Sequence, residues 1–195
     1  MKQTWRIAIL LTFACAALAA FSNLAHAQKL DVAFGVSTVT APGPSSNGNP
    51  SLTGGTYPGI SGDVIFFHNV GIGGEIYWKA TQGKYAGDPT LPFRPIYFDF
   101  NAVYAPKLAR HTYLELVGGI GAIDTRIYCQ GCGNGYNTNY SSDKHFMGDF
   151  GAGIKFYPKG NFFIRPEAKL YLINNNLNFS SARVSRFGLS IGYTF

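Results

Sequence analysis

The last nine residues of this 195-residue chain alternate strictly between apolar and small side chains. The apolar positions are Phe187, Leu189, Ile191, Tyr193 and Phe195, and between them lie Gly188, Ser190, Gly192 and Thr194. Successive side chains of a β-strand point to opposite faces, so this segment predicts a strand with one apolar face and one nearly bare face. Exposed on a soluble sheet, such a strand would invite aggregation. In a closed barrel that crosses a bilayer, it pairs with the first strand and its apolar face meets lipid.

The beginning of the chain has the pattern of a secretory signal. Lys2 and Arg6 precede an apolar run over residues 7–20, and the Ala-His-Ala triplet at 25–27 fits a cleavage site. We predict a cleaved signal peptide over residues 1–27 and a mature domain over residues 28–195. The apolar run is short for a membrane anchor, which needs about 20 residues. A lipoprotein with Cys15 as the lipidated residue is a weaker alternative, because apolar residues continue past this cysteine.

The composition excludes several classes of protein. Charged residues make up 13% of the chain, against about 25% in ordinary soluble proteins. A soluble barrel would need more Lys and Glu to cover its outside. The 16 Lys and Arg residues are scattered and match no nucleic-acid motif, so we expect no nucleic-acid partner. The mean hydropathy of +0.03 suits a membrane barrel, in which apolar and polar faces cancel.

The rest of the mature chain reads as strands joined alternately by long loops and short turns. The predicted strands cover about 29–39, 59–67, 70–81, 94–105, 112–124, 145–157, 162–173 and 187–195. The long loops are 40–56, 82–92, 125–144 and 174–182. This pattern predicts an all-β fold, an eight-stranded antiparallel up-and-down transmembrane β-barrel with periplasmic termini and four extracellular loops. Pro166 falls inside a strand, where it cannot donate a ladder hydrogen bond, so either a bulge or a slip of the alternation is expected there.

The charged residues decide which face of the barrel is the inside. A lipocalin-like soluble barrel would place its apolar face inward. Here the charges of the predicted strands share one face with many glycines, and the opposite face carries none in mid-strand. An eight-stranded barrel is just wide enough to be filled by side chains, so we expect these charges to pair within the lumen. The predicted lumen network is Glu75, Lys79, Asp99, Glu115, Asp149, Lys155, Arg165, Glu167 and Lys169.

The whole mature chain resembles the small outer-membrane barrels of the OmpA and OmpX type. The resemblance lies in the strand pattern and in the terminal strand, which is similar to the C-terminal assembly signal of such barrels, here Phe187, Leu189, Ile191, Tyr193 and Phe195. It implies location in the bacterial outer membrane. The partners expected with it are the β-barrel assembly machinery, outer-membrane lipids and lipopolysaccharide. Members of this class share a fold and differ in role, so function does not follow from the resemblance.

Two cysteines of the mature chain lie close together in the predicted loop 125–144. Cys129 and Cys132 are separated by two residues, and in an oxidising compartment we predict that they form a disulfide. Such a pair supplies only two of the four ligands of a closed zinc site. Metal binding with His145 or Asp143 is the weaker alternative, and we predict neither a metal nor a cofactor.

A catalytic group of serine, histidine and acid would have to form around His145. Asp149 follows four residues later on the same face, and Ser141 and Ser142 are close in sequence, as a lipid-modifying hydrolase would require. No serine stands at a fixed strand spacing from His145, so we predict no catalytic residues and a non-enzymatic barrel. Its Tyr-, Asn-, Gly- and Ser-rich loops favour a structural or surface-interaction role. A small OmpW-like pore is the alternative.

Overall fold

The computed structural model describes residues 29–43, 49–85, 88–129, 139–174 and 179–195. Every regular element in these ranges is a β-strand. The strands are β1 (Lys29–Thr40), β2 (Tyr57–Phe67), β3 (Val70–Trp78), β4 (Gly83–Tyr85), β5 (Asp88–Tyr104), β6 (Lys107–Ala109), β7 (Thr112–Tyr128), β8 (Tyr140–Lys159), β9 (Phe162–Ile173) and β10 (Arg183–Thr194).

Eight long strands close into a barrel in which each pairs antiparallel with its neighbours. The first strand pairs with the last over a register that runs from Asp31 opposite Thr194 to Thr40 opposite Ser185. The pairing of β5 with β7 completes the ring. The short strands β4 and β6 only flank β5 and β7. The predicted eight-stranded antiparallel barrel is therefore confirmed.

Side chains alternate between an apolar outer wall and a polar interior. Phe34 is 65% exposed, while its neighbour Ala33 is 2% exposed. The same alternation places Phe100 and Phe150 outside, next to the buried carboxylates Asp99 and Asp149. An outer wall of this kind cannot face water over its whole height, whereas in a bilayer it is the expected surface.

The strands extend farther at one end of the barrel than at the other. We call the end that holds the chain termini proximal and the opposite end distal. The proximal end holds Lys29 and Phe195, and it carries tight turns such as His68–Asn69, where both residues have positive φ as in a type I′ hairpin. At the distal end β5, β7 and β8 run on to lengths of 17, 17 and 20 residues. A strand needs only about 9–11 residues to cross a bilayer, so these three strands project beyond it.

The projecting strands correct the predicted loop boundaries. The predicted loop 125–144 is too long, because residues 125–128 and 140–144 belong to β7 and β8, which stay paired as far as Tyr128 opposite Tyr140. Beyond the apolar band the outward face carries polar residues such as Arg126 and Ser142, so the alternation that predicts a strand disappears. The predicted loop 82–92 likewise contains β4 and the start of β5, and the short connection 106–111 between the predicted strands 94–105 and 112–124 contains β6.

Two irregular positions have different local explanations. Ile65 continues the inward alternation of Ser61 and Asp63, and the register shift between Ile65 and Phe67 leaves Phe67 63% exposed. At Pro166 the prediction of a bulge or a slipped alternation was wrong. The β8–β9 pairing skips from Gly153 opposite Glu167 to Phe156 opposite Ile164 and keeps its register. Pro166 stays outward and exposed, and the missing N–H leaves only a local gap in the ladder.

Candidate functional site

The proximal half of the lumen is organised around Lys155. Its ammonium group lies 2.6 Å from Asp31 and 3.2 Å from Asp63, and it also contacts the carboxylate of Glu115. Lys155 is 1% exposed, so these contacts replace its hydration. One cation thus bridges carboxylates from three strands, β1, β2 and β7.

Arg165 on β9 is the second centre of the lumen. Its guanidinium lies 2.7 Å from Glu115, 3.3 Å from Asp63 and 2.9 Å from Glu167. It also donates to the hydroxyls of Ser61 at 2.7 Å and Ser190 at 3.0 Å. A planar group with five donors can satisfy this many acceptors, which a lysine cannot do.

The distal half of the lumen depends on Lys169 and Arg186. Lys169 lies 2.8 Å from Glu75, 3.3 Å from Asp99 and 3.0 Å from Asp149. Arg186 lies 2.7 Å from Glu75 and 3.1 Å from Glu167. Because Glu167 contacts both Arg165 and Arg186, the two halves form one continuous network.

Most predicted lumen charges are brought together, with one exception and three additions. Lys79 lies at the distal end over the ring of Phe93, 4.9 Å from its centroid, and makes no ion pair with a described residue. Lys79 follows the end of β3 at Trp78 and lies on the distal side of the network, next to Phe93. The network also contains Asp31, Asp63 and Arg186, which were not predicted as members. Seven carboxylates of the described residues therefore face four cations (Asp31, Asp63, Glu75, Asp99, Glu115, Asp149 and Glu167 against Lys155, Arg165, Lys169 and Arg186).

An apolar plug closes the lumen on the distal side of the ion pairs. Tyr77 and Tyr171 form its floor, since their hydroxyls donate to Glu167 and Glu75, both at 3.1 Å. Above them pack buried aromatic and aliphatic side chains: Val39, Leu52, Tyr57, Phe93, Tyr97, Ile123, Met147, Ile173, Phe179 and Val184. The plug is fully buried, with Tyr57, Met147 and Val184 at 0% exposure.

Two distal loops supply the cover of this plug. Leu52 comes from the segment between β1 and β2, and Phe179 comes from the segment between β9 and β10. The segments are tied together, because the amide of Ser180 donates to the carbonyl of Pro50 at 3.0 Å and its hydroxyl donates to that of Pro42 at 2.9 Å. These two hydrogen bonds, together with packing, therefore hold the cover in place.

The described residues leave little free space along the lumen. A proximal vestibule of about 230 Å³, lined in part by Lys29 and Tyr113, ends at Lys155. Among the ion pairs there is a gap of about 20 Å³, room for about one water molecule. Above that gap the apolar plug begins. In the part of the chain that the structure describes, ion pairs and the apolar plug therefore occupy the lumen between the vestibule and the distal end.

Of the residues considered for catalysis, Asp149 belongs to the network, whereas His145 and Ser142 do not. His145 lies 3.2 Å from Asp143, and Ser142 donates to Asp124 at 2.6 Å. The described residues hold no cluster of three or more metal-binding side chains. No helix among them is long and apolar enough to span a membrane. Cys129 follows β7 and is disulfide-bonded, but Cys132 lies outside the described residues, so its pairing stays a prediction.

The family described as Outer membrane protein beta-barrel domain matches residues 8–195. The chain belongs to this family. As an outer-membrane barrel it resides in the bacterial outer membrane, so its apolar outer wall contacts lipid. The predicted relationship to small OmpA- and OmpX-type barrels is confirmed. The predicted signal peptide over residues 1–27 lies outside the described residues and stays a prediction.

Three solved structures of similar fold are small outer-membrane barrels. Ail, the attachment invasion locus protein of Yersinia pestis, in complex with the heparin analogue sucrose octasulfate, has a TM-score of 0.56 at 15% identity. Neisserial surface protein A has a TM-score of 0.58 at 10% identity, and the N-terminal barrel domain of Pseudomonas aeruginosa OprF has 0.56 at 12%. Each comparison covers 86% of this chain and 97% of the other. No curated protein sequence matches the chain.

Proposed function

We propose that this outer-membrane barrel is a sealed, non-enzymatic platform that presents its distal end to the outside of the cell. The observation that carries the proposal is the contrast between the two parts of the molecule. The lumen is filled by ion pairs and an apolar plug, while three adjacent strands continue past the apolar band into water. Because ion pairs and apolar side chains fill the lumen, the projecting sheet is the part that a ligand can reach.

The projecting sheet is an ordered surface. Phe146 is the last exposed apolar side chain on β8, and the strand continues from it to Tyr140, on the order of 15–20 Å farther. Tyr128 and Tyr140 face each other there with ring centroids 6.0 Å apart, and Arg126 lies 5.2 Å from the centroid of Tyr140. Aromatic and arginine side chains are the residues most enriched at binding hot spots.

The sealed lumen favours this role over conduction. A channel needs a connected wet path, whereas Lys155, Arg165 and Lys169 each hold several carboxylates across the described lumen. For catalysis, a nucleophile would have to lie within hydrogen-bond reach of a base, and His145 has Asp143 as its neighbour. Both features support a non-enzymatic, non-conducting protein.

Orientation is tested first, by epitope tags on intact cells. One tag replaces residues 130–138 between β7 and β8, and a matched tag is inserted into the proximal turn between Lys159 and Phe162. We expect an impermeant antibody to label the distal tag on intact cells and the proximal tag only after permeabilisation. Labelling of the proximal tag on intact cells would refute the proposed display.

Conduction and binding are tested on the same protein. Planar-bilayer recordings of the wild type should show no stable current steps, and a sizeable steady conductance would refute the sealed lumen. For binding, residues 125–143 are replaced by Asn-Gly, which joins the directly paired Asp124 and Lys144 through a favoured hairpin turn. Adhesion of cells is then compared on heparin-coated and bare surfaces, because Ail holds a heparin analogue. We expect the shortened barrel to assemble normally and to lose adhesion, with Lys159→Gln at the proximal end as the neutral control.

A further inference from the structure

Three outward-facing cations of the distal rim lie on three adjacent strands. Arg94 on β5, Arg126 on β7 and Lys144 on β8 all lie on the face that carries the outer apolar side chains lower down. Arg126 is diagonal to Lys144, since its direct partner is Ser142. Arg183 on β10 is also outward and exposed, but it lies opposite Leu172 and has no cationic neighbour in the ladder.

Arg94 and Arg126 are direct cross-strand partners. Side chains in this relationship have Cβ atoms about 4.5–5.5 Å apart, and like charges so placed repel each other. The repulsion is eased by Asp124, which contacts Arg126, and it would be eased further by an anion that lies between the two guanidinium groups. The next outward pair on the same strands, Ile96 and Asp124, carries no such conflict.

One carboxylate of the patch is already engaged. Asp124 is 5% exposed, and it accepts from Ser142 at 2.6 Å and from Nε of Arg126 at 3.2 Å. This contact engages Nε of Arg126, while the guanidinium lies 5.2 Å from the centroid of the Tyr140 ring. Arg94 donates from Nη2 to the carbonyl of Ala80 at 3.4 Å, and its buried Nε has no partner among the described residues. Lys144 makes no ion pair with any described residue and is exposed.

The patch stands at the level where lipid headgroups begin. Trp78 pairs with Ile96, and Arg94 is two residues farther along β5 in the distal direction. A tryptophan on the outer wall marks the membrane interface. Towards the bilayer the same strands present Phe98 and Phe146, which are 40% and 56% exposed. A lipid with its chains against these rings would place its polar head beside the arginines.

We propose that Arg94, Arg126 and Lys144 bind the phosphate group of a phosphorylated glycolipid in the outer leaflet. The paired arginines bind phosphate oxygens through their forked donors, and Lys144 adds a point charge from the neighbouring strand. The acyl chains pack against the apolar wall below. The site depends on the proposed orientation of the barrel, which the epitope tags test separately, and it shares Arg126 with the projecting sheet.

The test uses the full mature protein in nanodiscs of zwitterionic phospholipid, titrated with lipid A. Trp78 is the only tryptophan after residue 27, so its fluorescence reports binding directly beside the site. We expect a saturable change with lipid A that carries its phosphates and none with enzymatically dephosphorylated lipid A. Arg94→Gln and Arg126→Gln should each weaken binding about tenfold, as the loss of a charged hydrogen bond implies. Lys144→Gln should have a smaller effect.

Controls separate this site from general electrostatic attraction and from misfolding. Arg183→Gln removes an outward cation from the same rim and should leave the affinity unchanged. Heat-modifiable electrophoretic migration shows that each variant is folded, and Arg94→Gln should be no less stable than the wild type when no anionic lipid is present. The proposal is overturned if dephosphorylated lipid A binds equally well, or if Arg183→Gln weakens binding as much as Arg94→Gln. Full competition by inorganic phosphate at the same concentration as lipid A would show a bare anion site and would overturn the lipid assignment.

Discussion

Lys155→Met should destabilise the barrel far more than Asp31→Asn, although the two residues are direct partners. Cations are fewer than carboxylates in the described lumen, and Lys155 contacts all of Asp31, Asp63 and Glu115. Its removal leaves three carboxylates with less compensation in a space that excludes water. Loss of one partner from a buried ion pair costs about 3–5 kcal/mol, and we expect the effect of Lys155→Met in that range.

Substitution of the carboxylate partner, Asp31→Asn, leaves the other contacts of Lys155 intact. In Asp31→Asn the amide oxygen can still accept a hydrogen bond from Lys155, whose charge remains balanced by Asp63 and Glu115. We expect a loss below about 1.5–3 kcal/mol, the size of one hydrogen bond to a charged group, because the hydrogen bond itself is kept. The difference between the two variants, not either value alone, tests the description of the network.

The free energies of unfolding are measured by denaturant titration in lipid vesicles, with the fluorescence of Trp78 as the signal. Heat-modifiable migration on gels gives an independent measure of folding. Lys159→Met is the matched control, because Lys159 is exposed in the proximal turn of the same strand and should leave stability unchanged. Equal destabilisation by Lys155→Met and Asp31→Asn would refute the idea that the scarce cations hold the lumen together.

Three further predictions follow from packing, pairing and cysteine chemistry. Gly59→Ala should cost about 1–3 kcal/mol in the same unfolding assay, because an added Cβ would overlap the ring of Tyr77, whereas outward Gly62→Ala would meet its nearest atom at 3.6 Å and should be neutral. Phe195→Ala should slow assembly into vesicles that contain the assembly machinery, without changing the final folded fraction; an unchanged rate would argue against the terminal signal. Oxidised protein should resist thiol labelling at Cys129 until a reductant is added, and labelling before reduction would contradict the disulfide.

The alternation of side chains made the barrel predictable. A period of two cannot drift, so a charge such as Asp99 or Arg165 is placed inside as soon as its strand is recognised. The pattern fails where the surroundings change from lipid to water. Residues 125–128 and 140–144 continue as strand without an outward apolar face, so a prediction from sequence ends the strands too early.

The ion pairs themselves could not be read from the sequence. Lys155 and Asp31 are 124 positions apart, and their contact depends on the register of every strand between them. Arg186 was missed because the apolar alternation that identifies the last strand starts at Phe187, although β10 begins at Arg183. Its position on the inward face was available, whereas its choice of Glu75 and Glu167 as partners was not.

The order of layers in the lumen explains why the ion pairs and the apolar plug belong together. A charged lumen open to water would gain little from its ion pairs, since water weakens each attraction. The plug lies between the distal solvent and the network, and Tyr77 and Tyr171 join the two layers through their hydrogen bonds to Glu167 and Glu75. The distal cover therefore contributes to stability beyond its own apolar contacts. Because Leu52 and Phe179 complete that cover, the loops that carry them contribute to the stability of the ion pairs. The outward face of the β7–β8 projection is not part of this cover and can therefore vary with the ligand that it contacts.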